Sequence, residues 1–507
     1  MPQVLEWLRT AAKQVDEADR DLARCSAQLP ASAADPALKG ASTAANRSAL
    51  WLAAAAVLAS RKGPTRRGAC RGLAAIAGAS ATTNLLAKSL FPRRRPAAEL
   101  VPEHRRLSAH PRSSSFPSGH AASAAAFAAA TAMESPAAGL AVAPLAAGVA
   151  YSRVHTGVHW PSDVVCGAAI GAGMAYATTR WWPLPQEEPA AAPVSTSTQS
   201  LVRGEGMVVL VNPESGNADP DVPAWVRRHW PAAEVVVPEP GFDLVPQLES
   251  AVDRHPRPVT ALGVAGGDGS VAAIASLATR RGLPLAVLAS GTLNHFAKDV
   301  GVDNPATTVE GARRGTVVAV DLSGVTVDGD PARCFLNTAS LGGYPDMVRF
   351  REKWQKRWGK WPAAAAALAR VLYASRPLEI DLDGERVKVW LLFVGNGSYR
   401  PKGFAPTRRP RLDNGLLDVR YARADVSFSR VRFVLAAATG ALHRSRTYVQ
   451  ADRPRLDVHV HGAPVAIATD GEIRPGGNRF TFAAHDKALH LYRPAGSTAA
   501  ELSRRAG

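Results

Sequence analysis

Thr260-Ala261-Leu262-Gly263-Val264-Ala265-Gly266-Gly267-Asp268-Gly269-Ser270 begins as a β-type run, breaks at paired glycines and passes into a helical pattern. Outward from this stretch, 207–211 and 285–288 are further β-type runs, each closed by a Gly or Pro turn, and the second again leads into a helical pattern. That rhythm is a parallel α/β sheet, and a Gly-rich turn at the carboxyl end of a strand is where such sheets bind ligands. After about residue 317 the rhythm becomes alternating strands with Gly/Asp turns, at 318–327, 378–394, 456–468 and 480–492, which predicts a β-rich second lobe.

Gly266, Gly267 and Gly269 let backbone amides approach a triphosphate, and Asp268 can hold magnesium directly or through water. One Gly-Gly-Asp-Gly by itself reads equally well as an ordinary turn. Neither G-x-x-x-x-G-K-[ST] nor the protein-kinase signature set is present, which excludes those two nucleotide sites. Further motifs extend the pattern: Asn212-Pro213-Glu214-Ser215-Gly216, Gly291-Thr292-Leu293-Asn294 and Asp470-Gly471-Glu472. In this order they resemble the diacylglycerol and sphingoid-base lipid kinase family across about residues 206–495. The resemblance implies a two-lobed kinase: an α/β nucleotide-binding lobe at 206–316, a β-sandwich lipid-binding lobe at 317–495, and a tail at 496–507. It implies ATP and magnesium as cofactors, with Asn212, Gly266, Gly267, Asp268, Gly269, Ser270, Gly291, Thr292 and Asn294 around the nucleotide. Asp268 and Glu472 would then face the metal, and Asp470 would accept the lipid hydroxyl proton. Two positions depart from the family: Ala272 and Ala273 stand where Asn-Glu is common, which keeps a non-catalytic nucleotide- or lipid-binding module as the alternative. Asp413, in a loose match to a D-G-x-L-D segment, reads as a turn or as a structural metal site, the turn being favoured.

The other half changes character. Apolar, alanine-dominated stretches fall at about 49–60, 72–87, 119–133, 136–151 and 164–179, each shorter than the roughly 20 residues that span a bilayer comfortably. Small residues suit close helix packing in lipid, and a soluble alanine-rich bundle is the other reading. Lys88, Arg95 and Arg153 supply cationic donors for phosphate oxygens. Ser118 and Gly119 open the helix that begins at His120, so free amides and the helix dipole face an anion there. His159 is placed to attack phosphorus, Asp163 to fix its tautomer, and His120 to protonate the leaving alcohol. Lys88-(six residues)-Arg95-Pro96, Pro117-Ser118-Gly119-His120 and Ser152-Arg153-(five residues)-His159-(three residues)-Asp163 together resemble the type 2 phosphatidic acid phosphatase superfamily, over about residues 45–180. That resemblance implies an all-α membrane helical bundle, a phosphohistidine on His159 and no metal. His155 receives no role and reads as a surface histidine.

A chain of 507 residues exceeds one ordinary core, and its net charge of +17 favours an anionic partner. Arginine clusters lie beside apolar stretches with no aromatic interleaving, which points to a membrane surface and away from nucleic acid. Cys25, Cys70, Cys166 and Cys334 lack metal or disulfide spacing. Residues 1–44 read as an amphipathic helical segment, lying on a membrane or capping a bundle, and 181–205 as a linker. Arg61, Lys62, Arg66, Arg67 and Arg71 in one loop make that side cytoplasmic by the positive-inside rule. Loop parity then faces the phosphatase motifs outward and leaves the kinase in the cytoplasm of a multi-pass membrane protein. Arg93, Arg94, Arg95, Arg105 and Arg106 on the outer face run against that rule. Expected partners are a lipid phosphate, a lipid alcohol such as diacylglycerol, ATP and the bilayer.

Overall fold

The structure is a computed structural model and describes residues 2–107, 113–184, 189–195, 198–215, 221–239, 241, 243–291, 294–343, 347, 350, 353–354, 366–367, 370–371, 373, 376–400, 402–403 and 408–495. It divides into two units, Met1–Pro185 and Gln186–Gly507. Thr292 and the tail at 496–507 lie outside the described residues.

The first unit is helical: α1 (Pro2–Gln28), α2 (Ala34–Ala44), α3 (Ala49–Ala59), α4 (Pro64–Ala81), α5 (Lys88–Leu90), α6 (Gly119–Glu134), α7 (Pro136–His155) and α8 (Pro161–Ala177). Pro64, Pro136 and Pro161 occupy first-turn positions, where a missing N–H costs nothing. Pro30 splits the N-terminal segment into α1 and α2, where the sequence suggested a single helix. Small residues set the packing: a Cβ at Gly167 or Gly171 of α8 would collide with the carbonyl oxygens of Ser118 and Ala122, so α6 and α8 touch backbone to backbone. Trp51 and Phe127, with ring centroids 5.4 Å apart, fill the alanine-lined core. At its other end Arg71 is fully buried, pairs with Glu134 at 2.7 Å and lies under Trp182. Among the described residues one helix, α7, is long and apolar enough to cross a membrane.

The second unit is α/β. Strands β1 (Val194–Ser195), β2 (Met207–Val211), β3 (Glu234–Val236), β4 (Ala261–Gly266) and β5 (Leu285–Ala289) alternate with α9 (Val222–His229), α10 (Leu244–Arg254), α11 (Asp268–Arg281), α12 (His295–Val300) and α13 (Pro305–Arg314). β3, β2, β4 and β5 are parallel neighbours in that order. Leu210 and Val264 pack on one face of this sheet, Val209 and Leu288 on the other. Burial on both faces explains the continuous apolar runs.

The β-rich part follows: β6 (Val317–Val327), β7 (Arg333–Phe335), β8 (Thr338–Gly342), β9 (Leu378–Leu382), β10 (Glu385–Asn396), β11 (Leu417–Arg423), α14 (Ser429–Ala438), β12 (Tyr448–Arg453), β13 (Arg455–Val460), β14 (Val465–Thr469), β15 (Glu472–Gly477) and β16 (Arg479–Tyr492). The run at 378–394 is a hairpin, turned at Asp383 and Gly384 with φ of 48° and 89°. β16 pairs with β6 along most of its length and meets β5 at Leu491, so one hydrogen-bonded path joins the parallel and antiparallel strands. The stretch 181–205, expected as a linker, carries structure. Ala190 donates to the Asp299 carbonyl at 2.8 Å, β1 pairs with β6, and Leu201 is buried. An edge strand made by backbone bonds alone needs no side-chain period.

Candidate active sites

In the helical unit the loop after α7 returns His159 beneath Arg95. The Arg95 Nη1 lies 3.3 Å from His159 Nε2 and also donates to the Val158 carbonyl at 2.6 Å. A guanidinium nitrogen can only donate, so His159 Nε2 carries a lone pair and its proton sits on Nδ1. Nδ1 faces Asp163 Oδ2 at 3.6 Å, within ion-pair range but long for a hydrogen bond. Burial, then the charges of Arg95 and Arg153, push the His159 imidazole down to about 4, although the nearby Asp163 carboxylate pulls the other way. The ring is therefore neutral at pH 7.

Asp163 is fully buried and accepts from Ser115 Oγ, from the Trp160 amide at 2.9 Å and from Arg93 at 3.0 Å. The Ser118 amide donates to the Asp163 carbonyl at 2.9 Å, while the Ser118 hydroxyl caps α6 by accepting from Ala121. His120 lies within electrostatic reach of Arg153, His159, Lys88 and Arg95. Arg153 is 3% exposed, bonds Ser42 Oγ, and its Nε has no partner. Lys88 donates to Asn84 at 2.9 Å, and Gly119 is the first residue of α6. Lys88, Arg95, Ser118, Gly119, His120, Arg153, His159 and Asp163 thus converge. Among the described residues none of the three cations, Lys88, Arg95 and Arg153, forms an ion pair.

Two features differ from expectation. His155 is buried, not a surface group, with Nε2 2.9 Å from Asp35 Oδ1 of α2. Arg93 is the opposite of its neighbour Arg95: it pairs with Asp16 at 2.6 Å, Asp19 at 2.8 Å and Asp163 at 3.0 Å. Asp16 and Asp19 come from α1, far away in sequence, and nothing in a run of three arginines separates the paired one from the unpaired.

In the α/β unit the Gly-rich turns meet. A Cβ on Gly291 would lie 2.5 Å from Gly267 Cα, and the Ser290 amide donates to the Gly266 carbonyl at 3.2 Å. The Asn212 side chain donates to Ser270 Oγ at 2.9 Å, and Asn294 donates to the Gly291 carbonyl at 2.7 Å. Asp268 accepts from the amides of His295 and Phe296, both at 3.1 Å, which ties α11 to the start of α12. Glu472 Oε1 lies against Gly269, while its Oε2 pairs with Arg474 at 2.6 Å.

Asp470 and Gly471 form the turn between β14 and β15, with φ of 48° and 91°. The Asp470 carboxylate accepts from the amides of Leu336 at 2.8 Å, Asn337 at 2.7 Å and Thr338 at 3.0 Å. Burial nonetheless pushes it up to about 6, helped by the negative Asp268 and opposed by those amides. Ala272 packs into the core with Leu210 and Val264, so its methyl group serves packing. Asp413 is held by a bidentate contact from Arg411, at 3.0 and 2.9 Å.

Sequence reasoning missed Arg409 and Trp225. Arg409 is buried, donates to the Leu336 carbonyl at 2.6 Å, pairs with Asp299 at 2.8 Å and lies over the Tyr399 ring. It therefore pins the loop that supplies amides to Asp470. Trp225, Val222 and Leu288 line a cavity of about 160 Å³ that also includes Ser290, one residue before Gly291.

Residues 68–186 match the family model of the PAP2 superfamily, and residues 206–325 match that of the diacylglycerol kinase catalytic domain. The chain thus carries a PAP2 segment followed by a diacylglycerol kinase segment. A diacylglycerol kinase of Mycobacterium tuberculosis is 28% identical over 221 residues, covering 42% of this chain and 70% of that protein. Among solved structures, a diacylglycerol kinase from Bacillus anthracis str. Sterne aligns at 16% identity and TM-score 0.39, over 58% of this chain and 97% of its own. A transmembrane PAP2 type phosphatidylglycerolphosphate phosphatase from Bacillus subtilis aligns at 21% identity and TM-score 0.28, over 35% of this chain and 92% of its own.

Proposed function

We propose that the chain is a bifunctional membrane lipid enzyme, releasing phosphate from a lipid phosphate in one half and transferring phosphate from ATP to a lipid alcohol in the other. The observation that carries the phosphatase reading is a set of three unpaired cations around two histidines: Arg153 buried, Lys88 and Arg95 half-buried, a concentration of positive charge in want of an anion. His159 Nε2 attacks phosphorus, forming the N–P bond as the P–O bond to the lipid breaks. His120 gives its proton to the departing oxygen, then takes one from the water that cleaves the phosphohistidine. Arg95, Arg153 and Lys88 hold the phosphoryl oxygens, and Asp163 faces the Nδ1 proton.

In the kinase half the oxygen-only donor set of Asp268 and Glu472 suits magnesium. These two residues would hold the ion, whose charge would neutralise nucleotide oxygens. The touching turns at Gly267 and Gly291 leave backbone close to the triphosphate, and the cavity beside Trp225 suits the base. Asp470, at about 6, is mostly ionised at pH 7 and accepts the lipid hydroxyl proton. The core role of Ala272 weighs against the non-catalytic alternative, which rests now on Ala273.

Membrane residence is supported by apolar side chains on the outer faces of the helical unit, among them Leu85, Val57 and Leu140, each more than 70% exposed. On α14 the exposed Val431, Val434 and Leu435, beside Phe428 and flanked by Arg430 and Arg432, suit the surface of an anionic bilayer. Arg93 and Arg105 are paired with carboxylates, so they weigh less against the outward orientation of the phosphatase. Arg67 and Arg71 share Glu134, which leaves Arg61, Lys62 and Arg66 to mark the cytoplasmic side.

The test is paired substitution in the full chain. His159→Ala is expected to abolish phosphate release and spare ATP-dependent lipid phosphorylation; Asp268→Ala is expected to do the reverse. An activity that survives its own substitution removes that half of the reading.

A further inference from the structure

Ser42 lies in the last turn of α2, and Asn46 opens the 3-10 turn Asn46–Ser48 that follows it. Both reach the proposed phosphatase site. The Ser42 hydroxyl, fully buried, accepts from Arg153 Nη1. Asn46 Oδ1 lies 2.9 Å from His120 Nε2. An amide oxygen can only accept, so this contact keeps the proton of His120 on Nε2. The backbone is bent to deliver it: Arg47 and Ser48 are consecutive left-handed residues with φ of 52° and 60°, a conformation that costs energy in any residue but glycine. α2 is fastened a few residues earlier by Asp35, which faces His155 at 2.9 Å, His104 at 3.1 Å and Arg105 at 3.4 Å. Neither Ser42 nor Asn46 falls within the residues matched to the PAP2 family model.

We propose that the end of α2 and the turn after it form the leaving-group wall of the phosphatase site, with Asn46 as a positioning residue that accepts the Nε2 proton of the His120 imidazolium in a hydrogen bond and Ser42 as one that orients Arg153. The inference rests on the phosphatase reading. As the P–O bond breaks, the Nε2 proton of the His120 imidazolium moves to the lipid oxygen, which takes the place of the Asn46 amide oxygen on that nitrogen and leaves the ring neutral. Once the alcohol leaves, Asn46 reclaims the contact with the reprotonated ring.

The two roles separate by leaving group. A lipid alkoxide needs a proton to depart, whereas p-nitrophenolate is stable without one. In detergent micelles, full-length Asn46→Ala is expected to lower phosphate release from phosphatidate by about tenfold or more, since general acid assistance contributes about 10²–10⁴. Release from p-nitrophenyl phosphate is expected to stay within about twofold of the parent. Asn46→Asp, which keeps an acceptor oxygen, is expected to recover phosphatidate turnover and to move the pH limb of His120 upward, because a negative charge favours the imidazolium. Ser42→Ala is expected to raise KM for both substrates with kcat nearly unchanged. Equal losses on the two substrates, or none on either, overturn the proposal. A parent that releases phosphate from neither substrate removes the phosphatase reading itself.

Discussion

The two sites would meet the same group with opposite charge. In the helical unit the phosphate would find Lys88, Arg95 and Arg153 already in place, beside a His159 imidazole kept neutral by burial and by the charges of Arg95 and Arg153. In the α/β unit it would find carboxylates: Asp470 is raised partly because Asp268 is close. On the proposed reading the helical site carries its cations as side chains, while the α/β site presents anions and would receive its cation with the nucleotide.

Four measurements press on that contrast. Chelation of magnesium is expected to erase phosphate transfer from labelled ATP and leave phosphate release from phosphatidate intact; equal sensitivity of both would collapse the distinction. Asp470→Asn is expected to lower lipid phosphorylation by about 10²–10⁴, the range for general base assistance, with phosphate release unmoved. Arg153→Met is expected to slow phosphate release by about 10²–10³, typical for loss of one oxyanion donor, with Arg153→Lys recovering part of it. The smallest effect is in pH. The nucleophile must be neutral, so phosphate release is expected to fall only as pH drops through about 4, whereas lipid phosphorylation needs ionised Asp470 and falls through about 6. Arg95→Met takes a positive neighbour from His159, raises its titration toward the ordinary histidine range and moves the acid limb to higher pH. Coincident limbs for the two activities would count against the assignment of either group.

How far the sequence carried this picture depended on distance along the chain. The runs at 207–211 and 285–288 and the apolar stretches at 136–151 and 164–179, which fall largely within α7 and α8, are local patterns, and each was legible. The motifs named His159, Asp163, Asp268 and Asp470 because spacing and residue type survive without a fold. What escaped was long-range. Arg93 and Arg95 look alike in a row of arginines, yet α1 supplies Asp16 and Asp19 to one of them alone. Ala272 reads as a lost polar group until its neighbours in the core are known. Arg409 lies outside every motif and holds the loop beneath Asp470 through carbonyls, which no side-chain pattern records.

Asp16, Asp19, Asp35 and Ser42 all precede the first residue at which a phosphatase domain might be trimmed on motif grounds, near position 45. Cutting there would strip Arg93, Arg105, His155 and Arg153 of contacts that α1 and α2 supply, some of them in places water does not reach. A shortened protein with silent phosphatase chemistry would therefore say more about orphaned cations than about the motifs it retained.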